Sequence, residues 1–220
     1  MKTITLILIS GTIVSALIYY INFDLYRTLI KEDGLYEYIT AFTLLLSSML
    51  LLFRLVKTGR SKTTAWIIFN VLLISGLFFG FGEEISWGQR IFSLESGDFF
   101  LENNLQKETN LHNLKLHGVK INIVLFSYII PIVFGLYFFF SLLLYKKNQF
   151  VKNLIDKFGI PIPGIHHIII LLIAALIITT VPENRKWELW ECSLVLILFL
   201  VLLQPYNTSE KLIPGKNKRE

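Results

Sequence analysis

Long apolar blocks separated by short polar segments dominate the pattern of this 220-residue chain. A helix needs roughly 20 mostly apolar residues to cross the hydrocarbon of a bilayer, and six blocks reach or approach that length. Because unpaired backbone cannot cross lipid, we predict helices here; a barrel would show short alternating segments instead. The predicted helices cover residues 4–21, 36–56, 64–82, 121–145, 165–181 and 187–203.

The blocks predict an all-α polytopic membrane protein, a bundle of six transmembrane helices that forms one integral membrane domain over residues 1–220. Composition agrees, because 54% of the residues are hydrophobic and only 17% are charged, whereas about a quarter are charged in a soluble domain. The lipid bilayer is therefore the first expected partner. The first block is too long for a signal-peptide core and lacks a small-residue cleavage site, so we expect it to be retained.

The distribution of charge predicts the orientation. Thirteen of the 21 Lys and Arg residues fall on one side of the predicted bundle, together with both termini. The positive-inside rule makes this side cytoplasmic, in a multi-pass protein of the cytoplasmic (inner) membrane. Thirteen of the 16 acids fall on the opposite side or at the outer helix ends. The net charge of +5 thus reflects topology, and we expect no nucleic-acid partner.

The densest chemistry lies at residues 83–90, Glu-Glu-Ile-Ser-Trp-Gly-Gln-Arg, where the third predicted helix leaves the bilayer. Glu83 and Glu84 end an apolar helix about 27 Å long, at a terminus where negative charge is unfavourable. Ionisable groups at membrane depth are costly and mark functional sites. The structural alternative for this acid pair is a salt bridge to Arg90 or Arg185.

Two further acid pairs are expected on the same outer face. Asp33 and Glu37 lie four residues apart at the start of the second helix, and Glu188 and Glu191 lie three apart at the start of the sixth. Each spacing places both side chains on one helix face. Acids in a first helical turn also favour the helix dipole, so a purely structural role is the alternative for these pairs.

The predicted outer loop, residues 91–120, is the longest segment between membrane blocks. Such long connections are uncommon unless they are functional or disordered. Apolar side chains recur among its polar residues, and we therefore expect a short interfacial helix near residues 104–114.

Two histidines of the outer loop are candidates for metal binding or proton transfer. A neutral imidazole beside carboxylates can do either near neutral pH. The metal-ligand candidates are His112, His117 and Glu84. Their spacing matches no zinc motif. Two alternatives therefore stay open: the site binds a divalent metal as cofactor, or it has no cofactor. His166 and His167 lie at the inner end of the fifth helix, where we expect packing roles.

Three motifs carry a resemblance: Glu32-Asp33-Gly34-x-x-Glu37, residues 82–90 as Gly-Glu-Glu-Ile-Ser-Trp-Gly-Gln-Arg, and Asn104-x-Gln106-x-Glu108-x-Asn110-Leu-His112-Asn113. With them the chain resembles, over most of its length, a group of bacterial multi-pass membrane proteins. The resemblance implies a shared extracytoplasmic constellation and attaches no activity to it. Alkaline-ceramidase-like membrane hydrolases also use histidines and acids around zinc at an outer face, but this chain lacks their late H-x3-H pair, so that analogy concerns chemistry alone.

The lead hypothesis is a membrane-embedded enzyme, a hydrolase or transferase, that acts on a lipid or lipid-linked substrate at the outer face. The candidate catalytic residues are Glu37, Glu83, Glu84 and His112. The candidate substrate-binding residues are Ser86, Trp87, Gln89, Arg90, Asn110, Asn113 and Glu188. Glu83 and Glu84 would supply a general base or metal ligand, and His112 a proton shuttle or a further ligand. Arg90 would bind an anionic head group such as phosphate.

Two other function classes stay open. A transporter of ions or small molecules would use the outer acids as its entry site, although transporters usually bind their substrates near the bilayer midplane. A non-catalytic membrane subunit would dock a membrane-protein partner through the acidic outer face. The single cysteine, Cys192, cannot form an internal disulfide and gives no redox signal.

Overall fold

A computed structural model describes residues 2–111, 113–116, 119–121 and 123–207, without the side chains of residues 2–9, 119, 123, 126 and 127. Helices make up 77% of the structure, which confirms the helical class. The α-helices are α1 Lys2–Ile21, α2 Phe23–Ile30, α3 Leu35–Thr58, α4 Thr64–Glu84, α5 Gln89–Phe92, α6 Asp98–Asn103, α7 Ile130–Lys147, α8 Gln149–Phe158, α9 Ile165–Thr179 and α10 Lys186–Leu203.

Shorter elements complete the described chain. Strands β1 (Lys115–Leu116) and β2 (Val119–Lys120) pair antiparallel. A 3-10 turn, Gly59–Ser61, joins α3 to α4, and a second one, Ser86–Gly88, follows α4. A π-helix, Ile123–Ile129, leads directly into α7.

Three helical segments of the described chain are long and apolar enough to cross a membrane. They are Phe23–Ser61, which contains α3, then Thr64–Glu84, and Ile130–Lys147. Two further helical stretches, Ser10–Ile21 and Ile165–Thr179, are apolar but shorter. The structure is thus compatible with a membrane protein, and fewer of its helices meet the length and composition requirements than the six spans that the sequence predicts.

Helix α3 is central, since it packs against both α4 and α10, while α9 packs against α1 and α10. Leu51 and Leu202 lie in the core between α3, α4 and α10. Tyr26 and Val181 lie in a second core that α1, α2, α3, α9 and α10 share. Phe138 lies in a third, between α7, α8, α9 and α10. The shared helix α10 therefore joins all three clusters into one bundle.

Helix α7 turns a continuous apolar face away from the bundle. Ile132, Leu136 and Phe140, each four residues from the next, are 60%, 57% and 52% exposed. A row of large apolar side chains at this spacing forms one stripe along a helix. Such a stripe is costly in water and suits contact with lipid chains.

The structure corrects one local prediction, because the residues that it describes between Asn104 and Leu114 do not form a helix. Asn104 and Leu114 instead form an antiparallel bridge that closes a loop, and the neighbouring helix α6 ends just before it. The Asn104 side chain accepts hydrogen bonds from the backbone N–H groups of Gln106 and Glu108. Asparagine side chains that bond nearby backbone in this way compete with helix formation.

Candidate functional site

A polar cavity of about 60 Å³ lies where the C-terminal end of α4 meets the N-terminal ends of α3 and α10. Its volume holds a few water molecules, at roughly 10–15 Å³ for each. Seven carboxylates line it: Glu32, Glu37, Glu83, Glu84, Glu108, Glu188 and Glu191. Its other lining residues are Ser86, Arg90, Gln106, Asn110 and Asn113. The cavity therefore collects acids from three helix ends, from the turn before α3 and from the loop after α6.

The chain reverses sharply after α4 through three consecutive residues with positive φ. Ser86, Trp87 and Gly88 have φ angles of 46°, 54° and 76°. This left-handed region is unfavourable for residues other than glycine, and such strain clusters at functional sites. Gly82 makes room for the turn, because a Cβ there would lie 2.8 Å from the indole of Trp87. The reversal keeps the residues on both sides of it beside the cavity.

Arg90 follows this turn and ties three carboxylates together. Its guanidinium lies 2.9 Å from Asp33, 3.1 Å from Glu37 and 3.4 Å from Glu108. Burial opposes its charge, but Glu108 and the two other acids outweigh burial and raise the pKa of Arg90 above its ordinary value. The guanidinium that the sequence predicts to bind an anionic head group thus pairs with protein carboxylates in the structure.

The segment before α3 adopts a conformation that places Asp33 and Glu37 beside Arg90. The backbone N–H of Asp33 donates to Glu37 at 2.7 Å, and Asp33 has a φ of 58°. A Cβ at Gly34 would lie 2.4 Å from the carbonyl oxygen of Lys31, so only glycine fits there. These contacts explain why the Glu-Asp-Gly-x-x-Glu motif has an acid, a glycine and a second acid at these positions.

Ser86 is buried with its hydroxyl fully engaged. The hydroxyl donates to Glu108 at 2.5 Å and accepts from the Asn110 amide at 2.8 Å, while the residue is 0% exposed. Asn110 also donates to Glu108 at 3.0 Å. Because this hydroxyl is already bound to two protein partners and oriented toward Glu108, its geometry favours positioning of Glu108 over nucleophilic attack.

Gln89 and Asn113 hold the outer loop in place. The carbonyl of Gln89 accepts from the Thr109 backbone at 2.7 Å, and its amide donates to Ser96 at 2.6 Å. Asn113 donates to the side chain of Gln106, and its backbone N–H donates to Asn110 at 3.1 Å. Of these two predicted substrate-binding residues, only Asn113 lines the cavity.

Glu83 is oriented by the turn and by the loop. Its carboxylate accepts from the indole of Trp87 at 3.1 Å and from the backbone of Leu111 at 2.6 Å. Arg185, which the sequence offered as a salt-bridge partner for this acid pair, instead pairs with Glu32 at 3.3 Å. Trp87 itself is 44% exposed and packs edge-on against Phe79.

The carboxylates of Glu84, Glu188 and Glu191 have no hydrogen bond or ion pair with any residue that the structure describes. They lie within electrostatic range of one another. Unpaired negative charges crowded into a small cavity repel each other and favour a bound proton or cation. Glu84, one of the two acids that end the third predicted helix, is thus available for chemistry.

Nothing in the described ranges forms a ready metal site. No group of three or more His, Cys, Asp or Glu residues there is arranged to hold a metal ion. Two of the three predicted metal ligands, His112 and His117, lie outside the described residues. The proposed proton-shuttle role of His112 therefore stays a prediction, as does its role as a ligand.

The structure brings most of the predicted site residues to one cavity. The predicted residues that line it are Glu37, Glu83, Glu84, Ser86, Arg90, Asn110, Asn113 and Glu188. Four further residues line the cavity although none was assigned a catalytic or substrate-binding role from the sequence: Glu32, Gln106, Glu108 and Glu191. The three-residue spacing from Glu188 predicted the position of Glu191 on the outer face, whereas no local pattern distinguishes Glu108 from the other loop acids.

Comparisons with known proteins add no relative. No family model, no curated protein and no solved structure matches the chain.

Proposed function

We propose that the chain is a polytopic protein of a bacterial cytoplasmic membrane, with six transmembrane helices, both termini cytoplasmic and the acidic cavity extracytoplasmic. Three long apolar helical segments and the exposed apolar face of α7 support membrane insertion. The bias of basic residues to one side and of acids to the other supports the orientation. The resemblance to bacterial multi-pass proteins supports the assignment to bacteria.

The proposed activity is that of a hydrolase or transferase acting on a lipid or lipid-linked substrate at the outer face. One observation carries it: Glu84 enters the cavity from the last turn of an apolar helix and has no partner among the described residues. An unpaired carboxylate costs free energy at membrane depth, and such groups mark functional sites.

Glu84 is proposed as the general base. It accepts a proton from a water or substrate hydroxyl, whose oxygen then forms a bond to the carbonyl or phosphoryl centre. The bond to the leaving group breaks, and the protonated acid returns the proton to it. With room for only a few waters, the cavity takes the reacting group while the rest of the substrate stays outside.

The surrounding residues would position this base. Arg90 holds Glu37 and Glu108 in place, and Ser86 and Asn110 fix Glu108 from its other side. Glu37 lies at the first turn of α3, facing the same cavity as Glu84. These residues would keep the shape and the charge of the cavity constant while Glu84 accepts and releases a proton.

The test compares purified wild type with Glu84→Gln in vesicles of phosphatidylethanolamine and phosphatidylglycerol, with product lipids identified by mass spectrometry. Glu95→Gln is the matched control, because Glu95 is exposed and lies outside the cavity. We expect product from wild type and Glu95→Gln and none from Glu84→Gln. Equal turnover by Glu84→Gln, or none by any form, would contradict the proposal. Metal analysis of the same samples separates metal-assisted from metal-free chemistry.

Cation or proton transport is the second candidate, and the crowding of Glu84, Glu188 and Glu191 favours it. The same vesicles, loaded with a pH-sensitive or metal-sensitive dye, measure this flux. Flux through wild type that Glu84→Gln abolishes, without lipid turnover, would assign transport. If Glu84→Gln changed only which membrane proteins co-purify, the site would be a partner-docking surface.

A further inference from the structure

Helix α8 carries two apolar faces, and only one of them is covered. Ile155, 6% exposed, and the partly buried Val151 pack into the core with α7, α9 and α10. Phe150 and Leu154, also four residues apart, are 75% and 42% exposed. Each step along a helix turns about 100°, so this second pair forms a strip beside the buried one. Among the residues that the structure describes, none covers this strip.

The exposed strip follows the exposed apolar stripe of α7 closely along the chain. Leu143 and Leu144, in the last turn of α7, are 49% and 40% exposed. Only Asn148 separates the two helices, and its side chain caps α8 by accepting from the Val151 backbone at 3.1 Å. Exposed polar residues 146–149 lie between Leu144 and Phe150 along the chain, so two exposed apolar segments flank a basic connection.

Contacts with α3 and α4 fix the end of α8. Gly159, with a φ of 68°, ends α8 in the left-handed region. A Cβ there would lie 1.9 Å from the indole nitrogen of Trp66. The Gly159 carbonyl accepts from Arg54, and the Phe158 carbonyl accepts from Asn70, each at 3.4 Å. Because these contacts hold the helix, it cannot roll to bury its exposed strip.

The polar residues around α8 are strongly basic. Its one acid, Asp156, accepts a hydrogen bond from the hydroxyl of Tyr145 at 2.9 Å. Four lysines lie on α8 or at the end of α7: Lys146, Lys147, Lys152 and Lys157. A helix with an uncovered apolar strip and a basic polar face is typical of segments that lie in the interface of an anionic bilayer.

We propose that α8 lies flat in the bilayer interface on the basic side of the protein, with Phe150 and Leu154 among the acyl chains. The lysines of α8 bind the phosphate of anionic phospholipids there. The long lysine side chains reach the head groups while their stems cover apolar surface. This surface is separate from the acidic cavity and does not depend on the function proposed for it.

The test measures contact with lipid through tryptophan fluorescence in vesicles of phosphatidylcholine that contain chain-brominated lipid, which quenches tryptophan on contact. Phe150→Trp is compared with Gln149→Trp, after subtraction of the emission from the four native tryptophans. Both positions are exposed, so neither substitution requires repacking. We expect strong quenching at position 150 and weak quenching at position 149. Equal quenching at the two positions would overturn the interfacial placement.

Selectivity for anionic lipid is measured in the Phe150→Trp protein. Brominated phosphatidylglycerol should quench more than the same fraction of brominated phosphatidylcholine. Lys152→Gln and Lys157→Gln should each weaken this preference about fivefold, the effect of one lysine near an anionic surface. Lys107→Gln, in the outer loop, should leave it unchanged. Equal quenching by the two brominated lipids, or an equal effect of Lys107→Gln, would overturn the anionic-lipid site.

Discussion

The guanidinium of Arg90 donates to the carboxylate of Glu37 at 3.1 Å and thereby joins the turn after α4 to the first turn of α3, 53 residues earlier. Its other nitrogens meet Asp33 and Glu108. Charge-assisted bonds of this kind are the strongest hydrogen bonds in proteins. One arginine thus joins the three motifs that the sequence shows as separate.

Arg90→Gln should lower the free energy of unfolding by roughly 1–3 kcal/mol, because it leaves three carboxylates without their cation. Thermal unfolding in detergent measures this change. Arg185→Gln is the matched control, since Arg185 pairs with one acid among the described residues, at 3.3 Å, and is half exposed. Its loss should cost about 0–1 kcal/mol. Equal costs for the two variants would show that Arg90 does not hold the site together.

Glu84→Gln should leave the protein as stable as wild type or up to about 1 kcal/mol more stable, because functional groups are commonly held at a cost in stability. The physical reason is that the amide removes one of several mutually repelling charges. The measurement is thermal unfolding, with Glu95→Gln expected to change stability by less than about 0.5 kcal/mol. A clearly less stable Glu84→Gln protein would assign this acid a structural role.

Gly82→Ala should destabilise the turn by roughly 1–3 kcal/mol, because the added Cβ would lie 2.8 Å from the Trp87 indole. Thermal unfolding and tryptophan fluorescence report the change. Gly76→Ala, in the same helix, has nothing within 4 Å of the added Cβ. That variant should be stabilised by up to about 1 kcal/mol through helix propensity. The opposite ranking would show that Trp87 does not pack on Gly82.

Asn104→Ala should loosen the loop that closes the cavity, because its side chain contacts the backbone of Gln106, Glu108 and Asn110. Hydrogen exchange at the amides of Gln106 and Glu108 should become faster, while exchange in α3 stays unchanged. Asn103→Ala is the control, as that side chain makes one bond, back to Phe99. Protection that survives Asn104→Ala would mean that other contacts fold the loop.

Helix positions were predictable because hydrophobic blocks need only composition and length to be seen. The conformation of the outer loop was not predictable, because it depends on individual side-chain hydrogen bonds. Asn104 binds the Gln106 backbone and bridges to Leu114, where the recurring apolar side chains predicted an interfacial helix. Helix α8 was missed because its ten residues follow α7 almost without interruption, and its amphipathic pattern is shorter than a membrane span.

The candidate site was predictable in its members but not in its pairings. Charge density identified Glu84 and Arg90, and topology placed them on one face with Glu188. Which acids Arg90 would pair with depends on the reversal at Ser86–Gly88, and no local pattern reveals left-handed φ angles at serine and tryptophan. Glu108 reaches the site only through the fold of the loop.

The left-handed turn at Ser86–Gly88 also makes the length of the segment between Glu84 and Arg90 invariant. The acid precedes the reversal and the guanidinium follows it, and both line one cavity. One residue more or fewer would swing the guanidinium away from Asp33 and Glu37. Helices α5 and α6 beyond it contribute only Arg90 to the cavity. In homologous chains, insertions and deletions should therefore be absent from residues 82–90 and be tolerated in α6, which contributes no residue to the cavity.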